Sequence, residues 1–283
     1  MGTSTPFGGP KNSNPLVPSF LQEPGDTPLV DTQAGEDQPQ GPPAPIQPLA
    51  DVLRRFQGGR RSSNDYARSG ARDSQARGRA LRSYVRRAGG GAAGTSRRMA
   101  VERRATATLA GILSRAETNA GGIREVVRAL DLGILADAPI EAVYAALVDV
   151  ICPPDGDLDD AQAREAYLEA VAEVMDEGYE DIEHPSAETV NAILGTYITN
   201  VIHIRVVNAI ANGMVTLPGD VAEVMAVEAG MRDFIGGCVS DALREFSVPM
   251  PVNDIQARID DLYERAIQIV DHRADAEAEG DKR

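Results

Sequence analysis

The sequence predicts an all-α fold: a helical bundle preceded by a long disordered Pro-rich N-terminal tail and an Arg/Gly-rich linker. Three observations support this prediction. From about residue 96 to residue 273, apolar residues recur at the three- and four-residue spacing of amphipathic helices. No segment alternates with the period of two that a half-buried strand requires. Eleven of the eighteen prolines fall within the first fifty residues, where no apolar period is sustained.

The part of the chain before residue 96 is predicted to lie outside the core. Prolines fix φ and remove backbone donors, so the segment Pro39–Pro48 favours a stiff, polyproline-like spacer. Short helices are expected at Leu49–Phe56 and Arg79–Arg87, separated by Gly- and Ser-rich breaks. The predicted division is a disordered tail (1–50), a basic Arg/Gly/Ser-rich linker (51–95), an all-helical domain (96–273) and a disordered acidic tail (274–283).

Seven apolar stripes predict the helices of the domain. They lie over residues 101–116, 123–130, 140–151, 163–174, 186–211, 218–242 and 255–269. Pro139 is expected at the first position of the third helix, and Ser186 is expected to cap the fifth. Residues 201–210 of that fifth helix are apolar nearly all round, which predicts a central buried helix. Because these apolar stripes can bury one another without the tails, residues 96–273 are expected to fold by themselves.

Charge is distributed unevenly along the chain. The formal net charge is −15, but residues 51–105 carry fifteen arginines against four acidic residues. The segments on either side are acidic, and residues 106–283 hold most of the negative charge. This arrangement indicates that the basic segment and the acidic segments each have an oppositely charged partner.

Several functional classes are excluded or disfavoured. No run of about 18 apolar residues occurs and no secretory signal precedes the tail, which predicts a cytoplasmic protein without a membrane span. Two cysteines and three histidines are too few for a disulfide framework or a cysteine-based zinc site. No nucleotide-binding or hydrolase motif is present, so we expect a non-enzyme without metal or cofactor. His203 is expected to be a core or interface residue.

The basic segment is a candidate nucleic-acid interface. Arginine binds phosphates bidentately and stacks on bases, and Tyr66 and Tyr84 lie nearby in the sequence for further stacking. The alternative, which we favour, is a linker that is either solvated or neutralised by the acidic domain of the same chain or of a neighbouring copy. The candidate contacts are Arg54, Arg55, Arg60, Arg61 and Arg68, within an Arg-rich segment spanning 54–104.

The N-terminus is a further candidate site. Gly2 follows Met1, so removal of Met1 is expected to leave an unhindered glycine amine. An α-amino group titrates near pH 8, so a useful fraction is the neutral nucleophile at cytoplasmic pH. N-myristoylation is disfavoured because the sixth residue is Pro6 rather than Ser or Thr. An ordinary disordered start is the alternative.

Five short stretches resemble a known family, in the same order along the chain. They are Met1–Ser4 (MGTS), Phe7–Pro10 (FGGP), Pro15–Phe20 (PLVPSF), Gly78–Val85 (GRALRSYV) and Ile151–Gly156 (ICPPDG). These motifs are uncommon, and together they resemble the QatB family of the bacterial Qat anti-phage defence system. The resemblance runs from residue 1 to about residue 245. One departure is Asp155, where the family pattern leads us to expect a second glycine.

The resemblance implies a specific chemistry. QatB-like proteins are encoded beside an ATPase, a TatD-like nuclease and a QueC-like (QatC-like) enzyme thought to join a 7-deazaguanine group to the N-terminal glycine. Carried over to this chain, Gly2 would be the modified residue. The enzyme would recognise the segment that follows: Thr3, Ser4, Thr5, Pro6, Phe7, Gly8, Gly9 and Pro10. The helical domain would dock partners, and its self-association stays open.

Overall fold

The computed structural model describes residues 49–153, 158–178, 181–211, 218–246 and 254–280, with side chains from residue 58 except at positions 134, 210 and 211. Within these ranges the chain forms ten α-helices and no strand, so the predicted all-α class is confirmed. Residues 1–48, which make up nearly all of the predicted tail, lie outside the described residues.

The helices follow one another with short connections. They are α1 (Leu49–Arg68), α2 (Ser74–Ser83), α3 (Ala92–Arg97), α4 (Ala100–Thr118), α5 (Gly122–Ala129), α6 (Ile140–Ile151), α7 (Leu158–Asp176), α8 (Ala187–Ala211), α9 (Val221–Leu243) and α10 (Ile255–Glu279). A π-helical turn, Tyr84–Ala88, continues α2, and a 3-10 turn, Gly133–Leu135, precedes α6.

The centre of the bundle is α8, as its apolar sequence predicts. Its residues Val201, Ile202 and Val206 are almost completely buried, and α4, α7 and α9 pack around it. Among the described helices, α8 is also the one long and apolar enough to cross a membrane, over Ala187–Ala209. Most of that stretch is buried inside the bundle, which identifies it as a core helix.

Helices α2 and α10 run antiparallel in very close contact. Gly78 of α2 makes this approach possible, because a Cβ at that position would lie 2.5 Å from the carbonyl oxygen of Ala274 and 2.7 Å from the nitrogen of Ala278. Residues Ala274 and Ala80 are completely buried. Small residues on both helices therefore set the spacing, and burial of their surfaces stabilises the pair.

The basic segment differs from the predicted linker, because its helices belong to the bundle core. Tyr66, Leu81 and Val85 are at most 1% exposed and lie in the same apolar core as α4 and α8. At the other end, α10 continues through Glu279, although the sequence predicted a disordered tail from residue 274. In the basic helices and in the last turns of α10, the packed residues are largely alanine and glycine placed between charged residues. Apolar periodicity is weak in such a composition.

This packing changes the expectation for the isolated domain. We expect a fragment spanning 96–273 to unfold at a lower temperature and less cooperatively than a fragment spanning 58–280, because losing α1, α2 and the π-helical turn exposes the faces of α8 and α10 that they cover. Thermal unfolding followed by circular dichroism would compare them. Equal midpoints and equal cooperativity would show that the basic helices add nothing to the core.

Candidate functional site

The structure locates only some of the residues predicted from sequence. Gly2 and its predicted recognition segment, Thr3 to Pro10, lie outside the described residues. Arg54 and Arg55 lie on the first turns of α1, and their side chains are likewise outside the description.

The other three predicted arginines lie further along α1. Arg60 is partly buried, whereas Arg61 and Arg68 are exposed. Arg68 has its nearest acidic partner in Asp65, at 4.0 Å between Nη1 and Oδ1. Residues 54, 61 and 68 are seven apart and share one face of the helix, whereas residue 60 lies on another. The predicted set is therefore not a single surface.

The structure does bring together other arginines of the basic segment. A cleft of about 360 Å³ opens between α1 and the α2 helix with its π-helical turn. Its lining is Gly58, Ser62, Arg79, Arg82, Ser83, Arg86 and Arg87. None of these four arginines was selected from the sequence. Their convergence requires α1 to pack antiparallel on α2, which the arginine-rich composition alone does not indicate. We call this region the arginine cleft.

Acidic residues of α10 hold two of these arginines. Arg82 Nη1 donates to Asp275 Oδ1 at 2.7 Å, and Arg86 donates to Asp271 at 2.8 Å and to Asp275 at 2.9 Å. Hydrogen bonds from Arg82 and Arg86 lower the pKa of the Asp275 carboxyl. One turn away, Arg77 forms a bidentate pair with Glu277. Arg77, Arg82 and Arg86 are thus paired with acidic residues of the same chain, which is one of the alternatives left open by the sequence analysis.

The two tyrosines proposed for base stacking are not available for it. Tyr66 is 1% exposed and Tyr84 is 6% exposed, so neither ring presents a face to solvent. Burial raises the pKa of Tyr84 to about 12. Tyr66 instead packs under the Arg77 guanidinium, 5.9 Å from the ring centroid. The stacking prediction was wrong because both aromatic residues are needed in the core.

A second, larger cleft of about 580 Å³ lies between α7, α8 and α9. Arg232 lies in its wall, where it donates to Glu173 Oε1 at 2.9 Å and to Asn200 Oδ1 at 2.9 Å. The rest of the lining is mainly small or polar, with Val239 and Leu243 as its larger apolar residues, and its polar members are Glu177, Glu188, Asn191, Thr196, Thr199, Asp233, Ser240 and Arg244. Acidic residues outnumber arginines here, so this cleft disfavours anions.

A buried ion cluster joins three helices near the centre of the bundle. Arg205 of α8 donates through Nε to Glu102 of α4, and its Nη2 lies 2.8 Å from Asp159 Oδ2 of α7. The three side chains are at most 6% exposed. Desolvation alone would lower the pKa of Arg205, but attraction by the two carboxylates outweighs it and raises that pKa. We assign this cluster to stability.

The described residues offer little for covalent catalysis. Burial raises the pKa of Cys152 and that of Cys238 to about 11. Burial, together with Arg232, lowers the pKa of His203 to about 4. These shifts favour protonated thiols and make the imidazole a weak base at neutral pH, which does not suit an activated nucleophile with its base. No group of His, Cys, Asp and Glu within the described ranges is arranged to hold a metal ion.

Comparison with known proteins gives one match. The family model for QatB, described as a Qat anti-phage system associated protein, matches residues 90–270. No curated protein and no solved structure shows significant similarity to the chain. The match begins at residue 90, so it does not include the four stretches of the sequence resemblance between residues 1 and 85. It ends in the second half of α10, beyond residue 245 where that resemblance ends. Since it covers more than half of the 283 residues, the chain belongs to the QatB family of the Qat anti-phage system.

Proposed function

We propose that this anti-phage defence protein is a non-catalytic acceptor. In this proposal Met1 is removed, and a QueC-like (QatC-like) enzyme joins a 7-deazaguanine group to the amine of Gly2. The observation that carries the proposal is the opening MGTS, followed by FGGP, in a chain of the QatB family. The helical body would dock that enzyme and other components of the Qat system, including its ATPase and its TatD-like nuclease, in the cytoplasm.

The chemistry requires a slender, nucleophilic amine. An amide forms between the Gly2 nitrogen and the carboxyl carbon of a deazapurine acid, the carboxyl oxygen that leaves is carried away on a phosphoryl group of ATP, and the neutral amine loses one of its two protons to solvent. Gly2, Thr3 and Ser4 carry small side chains or none, so the terminus can enter a deep active site. The α-amine titrates near pH 8, whereas a lysine amine titrates near 10.4 and is almost fully protonated at neutral pH.

The experiment is intact-mass measurement of the full chain expressed with and without its neighbouring Qat genes. We expect a mass increment on the N-terminal peptide only when the QueC-like enzyme, ATP and the deazapurine acid are present. Gly2→Pro still permits Met1 removal but presents a hindered secondary amine, and Gly2→Glu tends to retain Met1. Both variants are expected to lose the increment and protection against phage.

A matched control places the same substitution elsewhere in the tail. Gly25→Pro lies outside the predicted recognition segment, so this variant should be modified and should protect cells like the wild type. All variants should give the same helical circular dichroism spectrum. The proposal is wrong if the wild-type N-terminus stays unmodified, or if Gly2→Pro or Gly2→Glu protects cells fully. In either case the protein would act in defence through its helical body alone.

The second candidate function is a nucleic-acid-binding adaptor acting through residues 54–104. The observation in its favour is that Arg61, Arg87, Arg97 and Arg104 are exposed and make no ion pair within the described residues. Against base stacking stands the burial of Tyr66 and Tyr84, and the α10 carboxylates that pair with Arg77, Arg82 and Arg86 reduce the net positive charge of the segment.

A further inference from the structure

The arginine cleft has the composition of an anion site. Four guanidinium groups and two serines line about 360 Å³ between α1 and α2, and no acidic or aromatic side chain belongs to the lining. We propose that this cleft binds the phosphate groups of a phosphorylated ligand, either a nucleoside polyphosphate or a nucleic-acid backbone. Arginine suits this role because its planar fork pairs bidentately with phosphate oxygens.

The cleft keeps donors that the α10 carboxylates do not use. Arg82 gives only Nη1 to Asp275, and Arg86 gives Nε and Nη2 to Asp271 and Asp275. Each guanidinium carries five N–H donors, so Nη2 of Arg82 and Nη1 of Arg86 have further hydrogen-bonding capacity. These acidic contacts also restrict the two side chains, which reduces the rotamer entropy that ligand binding would otherwise cost.

The other two arginines of the cleft, Arg79 and Arg87, have weaker contacts with acidic residues. Arg87 makes no ion pair within the part of the chain that the structure describes, and it is exposed. Arg79 has its nearest carboxylate in Asp73, at 3.7 Å, with both side chains more than a third exposed. A pair of this kind contributes little, so Arg79 can exchange Asp73 for a phosphate at small cost.

A serine hydroxyl at the cleft needs a partner. Ser83 Oγ is buried and has no hydrogen-bond partner among the described residues. A buried hydroxyl without a partner is unfavourable, and a phosphate oxygen would accept a hydrogen bond from it. Ser83 lies between Arg82 and Arg86 and faces α1, where a Cβ at Gly59 would lie 3.4 Å from its Oγ.

Glycine keeps the cleft open on the α1 side. A Cβ at Gly58 would lie 3.1 Å from Arg87 Nη1 and 3.5 Å from Ser83 Oγ, so any side chain there enters the space between the helices. Glycine inside a helix is less favourable than alanine. The consecutive glycines Gly58 and Gly59 therefore destabilise α1, but they leave space at the mouth of the cleft.

Recognition at this site is expected to depend on phosphate and not on the base. Because no aromatic side chain lines the cleft, a base has no aromatic ring on which to stack there. Binding should therefore be similar for oligonucleotides of different sequence and should weaken steeply as salt rises, since it depends on charge. The inference is independent of Gly2 modification and can be tested without the neighbouring genes.

The test is a titration of the full chain with three probes: sodium tripolyphosphate, ATP, and a fluorescein-labelled single-stranded oligonucleotide of mixed sequence. Calorimetry follows the first two, and fluorescence anisotropy follows the third. The double variant Arg79→Gln/Arg87→Gln removes two cleft arginines that α10 does not hold. We expect it to bind at least about 10-fold more weakly, because one charge-assisted hydrogen bond lost corresponds to about that factor.

The matched control is Arg97→Gln/Arg104→Gln, which removes two exposed arginines of the same segment that do not line the cleft. It carries the same net charge as the cleft variant and should bind within about 3-fold of the wild type, since it removes only distant charge. Gly58→Leu fills the cleft without changing charge and should also lose binding while keeping the helical spectrum.

The probes separate the two ligand sources. Binding of tripolyphosphate and ATP that depends on the cleft supports a nucleoside polyphosphate, and cleft-dependent binding of the oligonucleotide alone supports a nucleic-acid backbone. Equal weakening by the two double variants would show diffuse charge and overturn the proposal. Failure of all three probes to bind at about 150 mM salt would overturn it as well.

Discussion

Replacing Arg205 with methionine is expected to lower the free energy of unfolding by about 3–5 kcal/mol, because it leaves two carboxylates buried without their counter-ion. Glu102 and Asp159 are at most 6% exposed and come from different helices, so neither can turn toward solvent without separating α4 or α7 from α8. Urea unfolding followed by circular dichroism would measure the change.

A surface pair provides the control for this prediction. Arg265 pairs with Glu245 at 2.8 Å, but both side chains are about half exposed. Arg265→Met should therefore change stability by less than about 1 kcal/mol. The triple variant Glu102→Leu/Asp159→Leu/Arg205→Met removes all three charges and is expected to recover much of the loss, since apolar replacements of buried ion clusters are often neutral. If Arg205→Met lowers the free energy of unfolding by less than about 1 kcal/mol, the three charged side chains do not form a buried ion cluster.

Substituting leucine for Gly78 is expected to separate α2 from α10, with a loss of about 3 kcal/mol. The backbone of α10 lies within 2.5–2.7 Å of the position that a Cβ would occupy, and backbone atoms cannot rotate away as a flexible side chain can. Separation would also break the pairs of Arg77, Arg82 and Arg86 with α10, so the loss should include their contribution.

The control for Gly78→Leu is Gly133→Leu. Gly133 is exposed, and a Cβ there would meet nothing within 4 Å, so this variant should stay within about 0.5 kcal/mol of the wild type. Chemical unfolding would measure the free energy of unfolding of both variants. Equal stability of Gly78→Leu and Gly133→Leu would mean that α2 and α10 do not pack as described.

Much of the bundle was predictable because apolar residues define it. The predicted stripe ending at Ala116 corresponds to α4, and the helix expected to end near Ala211 is α8. Ser186 also caps α8 as predicted, accepting from the Thr189 nitrogen at 3.2 Å. Pro139 lies just before α6, one residue earlier than expected, a difference typical of helix ends.

The predictions that differed from the structure concern polar and small residues. Arg205 lies within a helix predicted to be apolar, and its two acidic partners are among 43 acidic residues in the chain, so no spacing rule could select them. The arginine cleft likewise depends on contacts across α1 and α2. Periodicity shows which face of a helix is apolar, but it does not identify a partner helix when that face is built from alanine and glycine.

The pairing of α2 with α10 also has a consequence during synthesis. Arg77 and Glu277 are 200 residues apart. At about 5–20 residues per second, the ribosome releases α2 roughly 10–40 s before its partner. In that interval the nascent chain presents its arginines without the carboxylates that later hold them. A ligand or chaperone that recognises the uncompensated arginines therefore has its best access before translation of α10 is complete.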